Sequence, residues 1–288
     1  MKTAGIGLIP IFVMTSASAI DVQGHRGARG YLPENTLPSF ELAVSMGVTT
    51  LELDTGMTKD GVVVIHHDRR LNPDIARGPD GKWVAAPAPT LHSLSFAELQ
   101  GYDVGRLRPG SQYEKSFPDQ KPLDGARIPR LADLLEAARA GGVRFNIETK
   151  LSSEAPDETP GPDAFARAVI REVRRAGVMA RTTIQSFDWR TLKVVEREAP
   201  DIATAYLTSL KDSEPSRVRK ARARIWSPNF QALTPDLVSS ARAMGLTIVP
   251  WTVNQPADIA RVLDLQVEGI ISDYPDRVIE ELKRRGLR

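Results

Sequence analysis

The sequence of 288 residues contains no cysteine, only four histidines and almost no net charge. Without cysteine the chain forms neither a disulfide nor a thiolate metal site. Its 38 basic residues are balanced by 36 acidic ones, a formal net charge of +2. It therefore lacks the overall positive field that nucleic-acid binding requires, and we expect no nucleic-acid partner. Any anion must be bound by a local group of cations.

The apolar run at the N-terminus is too short to span a bilayer. Lys2 precedes "AGIGLIPIFVM", and the run ends near Ala17-Ser18-Ala19. A positive start, a short apolar stretch and a small-x-small site are typical of a secretory signal peptide. We predict that residues 1–19 are removed, and that residues 20–288 form a periplasmic or secreted protein without a stable membrane anchor.

Beyond residue 20, short β-rich runs alternate with amphipathic helical patterns. Eight runs are predicted as strands, namely 21–24, 49–55, 143–150, 182–187, 202–207, 224–228, 246–251 and 268–273. Eight strands, each followed by a helix, predict one α/β domain with a (β/α)8 (TIM) barrel. A doubly wound open sheet is the rival fold, but the Gly-rich phosphate turn typical of it is missing here.

Two features interrupt the alternation. "TKDG" at Thr58–Gly61 predicts a turn, and "VVVIHHD" after it predicts an extra strand, so the second strand should carry a hairpin. Residues of about 69–125 are rich in proline and glycine and lack sustained periodicity. We predict that they form an insertion over the C-terminal face of the barrel, where barrel enzymes build their active sites.

Two predicted strands carry pairs of charged residues on one face. Glu52 and Asp54 are two residues apart in "LELD", and so are Glu148 and Lys150 in "IETK". Because side chains alternate along a strand, each pair should point into the barrel mouth. Three carboxylates from neighbouring strand ends predict an all-oxygen site for Ca²⁺ or Mg²⁺. The alternative is a set of internal ion pairs with lysine or arginine.

The first strand delivers an acid–base candidate and a cation. His25 follows that strand beside Arg26, and the two lie between Gly24 and Gly27. Arginine offers a planar fork for a phosphate or carboxylate. We expect the two glycines to let the backbone approach a ligand closely.

The hairpin strand supplies a second histidine. His66 and His67 are adjacent in "HHD", so they face opposite sides and only one of them aims at the barrel mouth. His67 precedes Asp68, which is placed to orient its ring. We therefore select His67, with His66 as a slight rival.

Further side chains at the predicted strand ends could line a substrate pocket. Phe187 and Trp251 could pack against a substrate alcohol, although ordinary packing explains both equally well. Gln185 and Asp273 are weaker lining candidates.

An ordered set of short motifs resembles the glycerophosphodiester phosphodiesterase family. The motifs are "HRG", "PENT", "LELD", "TKDG" and "IHHD", followed by "FNIETK", "QSFD", "PWTVN" and "GIISDYP". Each is weak alone, but the ordered set covers nearly the whole chain beyond residue 20.

The resemblance implies a TIM-barrel enzyme with one divalent metal ion, Ca²⁺ or Mg²⁺. Its reaction would be the hydrolysis of glycerophosphodiesters, such as glycerophosphocholine or glycerophosphoethanolamine, to glycerol 3-phosphate and an alcohol. Carried onto this chain, the resemblance assigns three groups of residues: the metal ligands Glu52, Asp54 and Glu148, the acid–base pair His25 and His67, and the phosphate-binding cations Arg26 and Lys150.

Other functions remain as alternatives. One is a lysophospholipase D-type phosphodiesterase, and another is a non-catalytic binder of glycerophosphate. A metal-independent lyase on a similar barrel would place a basic residue where Glu52 and Asp54 stand, which argues against it. The motifs leave open the alcohol, the choice between Ca²⁺ and Mg²⁺, and the oligomeric state.

Overall fold

The computed structural model describes residues 19–288, so nearly all of the predicted signal peptide, residues 1–19, lies outside the described residues. Nine strands are described, namely β1 Asp21–His25, β2 Thr50–Met57, β3 Val63–Ile65, β4 Arg144–Thr149, β5 Thr182–Ser186, β6 Ala203–Thr208, β7 Ile225–Pro228, β8 Thr247–Ile248 and β9 Gly269–Ser272. They form one sheet in the order β8-β7-β6-β5-β4-β2-β1-β9 with parallel pairing, while β3 pairs antiparallel with β2 as the predicted hairpin.

Backbone hydrogen bonds join the two edges of this sheet. Glu268 N donates to Ile248 O at 3.1 Å, and Ile271 N donates to Pro250 O at 3.0 Å. Eight parallel strands therefore form a nearly closed barrel, which confirms the predicted TIM-barrel fold.

The helices lie between the strands, as the sequence periodicity predicts. The barrel helices are α1 Leu37–Met46, α4 Leu131–Ala137, α5 Pro162–Ala176, α6 Trp189–Glu198, α7 Pro215–Lys220, α8 Pro235–Ala243, α9 Pro256–Asp264 and α10 Pro275–Arg284. Helix α1 begins after Thr36 and ends at Gly47, whose φ of +94° places it in the left-handed region that glycine adopts freely. The Thr36 hydroxyl does not cap the helix but donates to Pro33 O at 2.7 Å.

Alternation along the strands separates an apolar shell from a polar interior. Leu51 and Leu53 of β2 are fully buried in the main hydrophobic cluster between strands and helices. Inside the barrel, Asn146 Nδ2 donates to Gln23 Oε1 at 2.8 Å and to Gln185 Oε1 at 3.0 Å. These hydrogen-bonded amides form the floor beneath the charged strand ends, although Asn146 Oδ1 has no partner among the described residues.

The insertion is more ordered than its sequence predicts. Residues 69–125 contain two short helices, α2 Phe96–Leu99 and α3 Gln112–Ser116. Buried side chains from this segment and its flanks form a second hydrophobic cluster, composed of Val64, Leu71, Ala76, Val84, Ala88, Leu91, Leu99, Val104 and Ile128. Their irregular spacing explains the missing periodicity, because a loop-rich segment buries apolar residues by convergence rather than along one face. Within residues 19–288, no helix has the length and apolar character needed to cross a membrane.

Candidate active site

Three carboxylates meet at the C-terminal ends of β2 and β4. Glu52 and Asp54 project from β2, Glu148 projects from β4, and the strand register pairs Asp54 with Glu148. All three side chains are buried, and one oxygen of each lies within 4.8 Å of the others. Burial, together with the charges of Asp54 and Glu148, raises the pKa of Glu52 well above its usual range.

Two cations lie among these carboxylates. Lys150 Nζ is 2.8 Å from Glu148 Oε1 and 3.1 Å from Asp54 Oδ1. Arg26 Nε is 3.0 Å from Asp54 Oδ2, while its Nη1 donates to Glu34 Oε1 at 2.8 Å. Burial raises the pKa of Asp54, but Lys150 and Arg26 outweigh burial and hold that pKa well below its usual range.

The donor set fits a divalent cation bound by oxygen. Arg26 is shared with Glu34, so the cluster of Glu52, Asp54 and Glu148 keeps an excess of negative charge. Asp54 Oδ1 is buried and accepts no hydrogen bond from the described residues. Its contact with Lys150 Nζ at 3.1 Å is an ion pair only. Buried carboxylates in excess over their cations are stabilised by a further positive charge, and hard oxygen donors suit Ca²⁺ or Mg²⁺. The predicted ion pairs with lysine and arginine are also present, so the two interpretations describe one cluster.

His25 is held by a carboxylate from the other end of the chain. Its Nδ1 lies 2.6 Å from Asp273 Oδ1, at the end of β9. Arg29 donates to both oxygens of Asp273, from Nε at 2.8 Å and from Nη2 at 3.0 Å, and Asn254 Nδ2 donates to Oδ2 at 2.6 Å. This leaves Nε2 of His25 facing Glu52, at 3.8 Å from Oε2. Burial and the charge of Arg29 lower the pKa of His25 to about 4.

The structure separates the two adjacent histidines of the hairpin. His67 Nδ1 lies 2.7 Å from Asp68 Oδ1, and Asn72 Nδ2 holds the other oxygen of Asp68 at 2.8 Å. The His67 side chain is 32 % exposed and lines a cavity of about 550 Å³ together with Glu148 and Lys150. His66 is 3 % exposed, with Nε2 buried and unpartnered among the described residues. Of these two histidines, only His67 therefore faces the cavity.

The glycines beside His25 serve packing rather than ligand approach, which corrects the expectation from the sequence. A Cβ on Gly24 would lie 2.6 Å from Gly27 O, and a Cβ on Gly27 would lie 2.6 Å from the carbonyl carbon of Ser39. Gly27 also has φ of +86°, and Arg26 itself has φ of +53°. The glycines thus let the loop press against helix α1, and this turn aims the Arg26 side chain at the carboxylates.

The three candidate lining residues differ in position. Gln185 is 1 % exposed and donates from Nε2 to Glu52 Oε1 at 2.7 Å, so it holds a carboxylate and does not line the open cavity as predicted. Phe187 is 44 % exposed and lines the cavity beside Lys150. Its ring packs edge-on against Trp251, with centroids 5.3 Å apart.

Sequence reasoning missed four residues that the structure joins to the site. Asp273 was considered only as a weak lining candidate, and no role was predicted for Arg29, Glu34 or Tyr113. Burial raises the pKa of Glu34, but Arg26 and Arg29 outweigh burial and leave that pKa at about 2. The signal for Arg29 and Glu34 was their place between "HRG" and "NT", whereas Tyr113 lies in the insertion and carries no motif.

Asn35 also has a role beyond the start of helix α1. It has φ of +57°, in the left-handed region that asparagine tolerates better than most residues. Its Nδ2 donates to Asp54 Oδ2 at 2.9 Å. The segment "PENT" therefore supplies a hydrogen bond to one carboxylate of the cluster as well as the entry to the helix.

The chain is similar in sequence and in fold to known proteins. The sequence model of the glycerophosphoryl diester phosphodiesterase family matches residues 25–277. A glycerophosphodiester phosphodiesterase of Bacillus subtilis is 32 % identical over 276 residues, which cover 91 % of this chain and 86 % of the relative.

Two solved structures share the barrel. One, a candidate glycerophosphoryl diester phosphodiesterase from Silicibacter pomeroyi, superposes with a TM-score of 0.89 at 37 % identity, covering 93 % of this chain and 95 % of that one. The other is an Oleispira antarctica phosphodiesterase in complex with its product sn-glycerol-3-phosphate. It superposes with a TM-score of 0.74 at 22 % identity, covering 92 % of this chain and 97 % of that one, and at this identity it supports the fold alone.

Proposed function

The chain belongs to the glycerophosphoryl diester phosphodiesterase family and is a phosphodiesterase of that type, and from this premise we propose how it acts. We propose that it hydrolyses a glycerophosphodiester to glycerol 3-phosphate and an alcohol, with His25 and His67 as the acid–base pair. The observation that carries this proposal is the meeting of two carboxylate-bound histidines with three buried carboxylates at one end of the barrel.

Glu52, Asp54 and Glu148 are the proposed metal ligands. Their buried oxygens and excess negative charge support a divalent cation, Ca²⁺ or Mg²⁺. When bound, the cation would supply positive charge to a phosphodiester whose negative charge grows in the transition state. The hydrogen bond from Gln185 to Glu52 and that from Asn35 to Asp54 hold the carboxylates in place for this role.

We propose that His25 and His67 both use the ring nitrogen Nε2 in the reaction. The Nδ1 of His25 and the Nδ1 of His67 each contact a carboxylate, so Nδ1 carries the proton in both and Nε2 is the free base. Burial and nearby cations lower the pKa of both rings, which favours the neutral form that accepts a proton. We propose that one Nε2 accepts the proton of the attacking oxygen and that the other, once protonated, donates to the leaving alcohol.

Arg26 and Lys150 are the proposed phosphate-binding cations. Both are ion-paired with Asp54, which keeps their charge in place within the carboxylate cluster. Lys150 lines the cavity, and its Nζ is 6.0 Å from the ring centroid of Phe187. A cation fixed before the substrate arrives needs no reorganisation during the reaction, and this is the benefit of holding both in ion pairs.

The surface around the cavity favours a deacylated, water-soluble substrate. The cavity is lined by Arg69, Arg70 and Glu158, and these three form two ion pairs with N···O distances of 2.8 Å. Within residues 69–125, Leu123 is the one exposed large hydrophobic side chain. Among the exposed large hydrophobic side chains of the described residues, only Phe187 lines this cavity. One ring beside a charged rim offers little apolar area for an acyl chain, so we place the lysophospholipase D activity second.

A substrate panel tests the proposal. Purified protein is incubated with glycerophosphocholine, glycerophosphoethanolamine or lysophosphatidylcholine, with Ca²⁺, Mg²⁺ or chelator, and the products are followed by phosphorus NMR. We expect glycerol 3-phosphate from the first two substrates and a loss of activity with chelator. Preferential cleavage of lysophosphatidylcholine would instead support the lysophospholipase D alternative, and tight binding without any product would support the non-catalytic one.

We further propose that the protein is exported, on the strength of its N-terminal residues alone. Lys2, the apolar run and the Ala17–Ala19 segment support a cleaved signal peptide. Expression in a Gram-negative host followed by intact-mass analysis of the periplasmic fraction tests this proposal. A mature chain that begins at Ile20 is expected, and full-length protein retained in the cytoplasm would contradict it.

A further inference from the structure

We propose that Tyr113, supplied by the insertion, is a positioning residue for His25, an inference that rests on the proposed function. The insertion is more than a cover over the barrel, because one of its side chains reaches the charged groups behind the active site. The Tyr113 hydroxyl contacts Glu34, Arg29 and Arg26 at once.

The tyrosine hydroxyl contacts two arginines and one carboxylate directly. It accepts a hydrogen bond from Arg29 Nη1 at 3.0 Å, lies 3.4 Å from Arg26 Nη1, and donates to Glu34 Oε2. Arg29 Nη1 has one further partner, Glu34 Oε2, at 3.5 Å. Removal of the hydroxyl would leave this nitrogen with a single long contact, so Tyr113 is the main hydrogen-bond partner of Arg29 Nη1, while Nε and Nη2 of the same guanidinium bind Asp273.

That orientation is passed on to His25. Arg29 uses its other two nitrogens to bind both oxygens of Asp273, and Asp273 Oδ1 in turn lies 2.6 Å from His25 Nδ1. Arg29 Nη2 also lies 3.2 Å from the same ring nitrogen. The side chains of His25, Arg29 and Asp273 are at most 11 % exposed, so water does not replace a lost contact easily. A rotated Arg29 would therefore shift Asp273 and change the direction in which His25 Nε2 points.

The insertion is built to hold Tyr113 in this place. Helix α3 starts at Ser111, whose hydroxyl accepts from Glu114 N at 3.0 Å, so the turn that carries Tyr113 is capped. Phe117, one turn later, packs edge-on against the Tyr113 ring at 5.3 Å. The guanidinium carbon of Arg29 lies 4.6 Å from the centre of the Phe117 ring, a cation–π contact.

Two further hydrogen bonds tie this part of the insertion to the first barrel loop. Gln120 Nε2 donates to Arg29 O at 2.8 Å, and Lys121 N donates to Tyr31 O at 2.9 Å. The backbone of the loop and the side chain of Arg29 are thus both held by residues 113–121. A segment that only shielded the site from water would not need to contact the side chains that orient its histidine.

The test compares Tyr113→Phe with Tyr102→Phe in the full chain, assayed on glycerophosphocholine with Ca²⁺ or Mg²⁺. Both variants remove one hydroxyl from the insertion, but Tyr102 packs at the edge of the second hydrophobic cluster, away from the arginines. We expect Tyr113→Phe to lower kcat about tenfold with little change in KM, because it removes hydrogen bonds to charged groups and leaves the cavity intact. Tyr102→Phe should behave as wild type.

A double variant separates positioning from simple loss of stability. If Tyr113 acts through Arg29 and Asp273, then Tyr113→Phe should add little to the defect of Asp273→Asn, so the two effects are not additive. The proposal would be overturned if the two losses in kcat multiplied in the double variant, if kcat were unchanged in Tyr113→Phe, or if Tyr102→Phe lost as much activity as Tyr113→Phe.

One readout does not depend on turnover. Imidazole nitrogen chemical shifts of His25, assigned with the His25→Ala variant, report which ring nitrogen carries the proton. We expect a single form protonated at Nδ1 in the wild type and a mixture of both forms in Tyr113→Phe. Identical spectra would refute the positioning role. Inactivity of the wild type on every substrate would refute the proposed function but leave this comparison valid.

Discussion

Asp273 Oδ1 lies 2.6 Å from Nδ1 of His25, although 248 positions separate the two residues in the chain. The contact arises because β1, which ends at His25, pairs with β9, which is followed by Asp273. The first and last strands of the barrel thus supply the two members of one hydrogen-bonded histidine–carboxylate pair. Burial raises the pKa of Asp273, but Arg29 and His25 outweigh burial and hold that pKa far below its usual range.

Asp273→Asn should lower kcat by at least about 10²-fold, since the amide neither fixes the tautomer of His25 nor stabilises its protonated form. Steady-state hydrolysis of glycerophosphocholine measures the change, and circular dichroism checks that the variant folds. Asp276→Asn, in the first turn of helix α10 and three residues after Asp273, is the matched control and should retain activity. A wild-type kcat in Asp273→Asn would contradict the assignment.

His67→Gln should lose about 10² to 10⁴-fold in kcat, because it removes one of the two proposed proton carriers. The neighbouring variant His66→Leu is the control. His66 is 3 % exposed and its Nε2 has no partner among the described residues, so leucine, of similar size, breaks no hydrogen bond made by that nitrogen. Parallel assays of the two variants decide which histidine acts, and the opposite ranking would reverse the choice made here.

Glu52→Gln should abolish the rise in melting temperature that Ca²⁺ or Mg²⁺ gives to the chelator-treated wild type. A ligand that binds only the folded state stabilises it by about 2.7 kcal/mol when its concentration is about 100 times its Kd. The measurement is thermal unfolding with and without each ion. Glu41→Gln, on the exposed side of helix α1, should respond as wild type. An undiminished response in Glu52→Gln would remove this residue from the metal site.

The chelator-treated form of Glu52→Gln should also be more stable than chelator-treated wild type at neutral pH. Three buried carboxylates within 4.8 Å repel one another, and glutamine resembles the neutral form that burial favours at Glu52. The free energy of unfolding in urea measures the difference. A less stable variant would show that the ion pairs of Lys150 and Arg26 already balance the cluster.

Glu34→Gln should destabilise the protein at neutral pH but not in strong acid. The pKa of Glu34 falls from 4.5 to about 2 on folding, so its contribution is present above 4.5 and is lost as the pH falls towards 2. At about 1.4 kcal/mol per pKa unit, this contribution is on the order of 3 kcal/mol. Urea unfolding of both proteins at neutral pH and near pH 2 gives the comparison, and a difference that persists in acid would exclude this ion pair as its cause.

The barrel could be predicted because its signals are local. Each strand and helix is encoded by its own apolar periodicity, and glycine marks helix ends such as Gly47, so the element order followed from short windows. Glu52, Asp54, Glu148 and Lys150 could be placed on one side because alternation along a strand is a local rule.

Contacts between distant segments could not be predicted in this way. Gln185 was expected to line the cavity, but the register of β5 places it beneath Glu52. The glycines around His25 were expected to face a ligand, but helix α1 occupies that space. The insertion was expected to lack regular structure, but its scattered apolar residues form a cluster that only the folded chain brings together.

The sequence by itself therefore determined the barrel, the family and the set of proposed active-site side chains, because periodicity and short motifs are properties of neighbouring residues. Only the tertiary structure decided which groups hold those side chains. Closing the barrel brings Asp273 to His25, and folding of the insertion brings Tyr113 to Arg29 and Glu34. Such partners are chosen by the geometry of the closed sheet and its loops, which no single stretch of sequence contains.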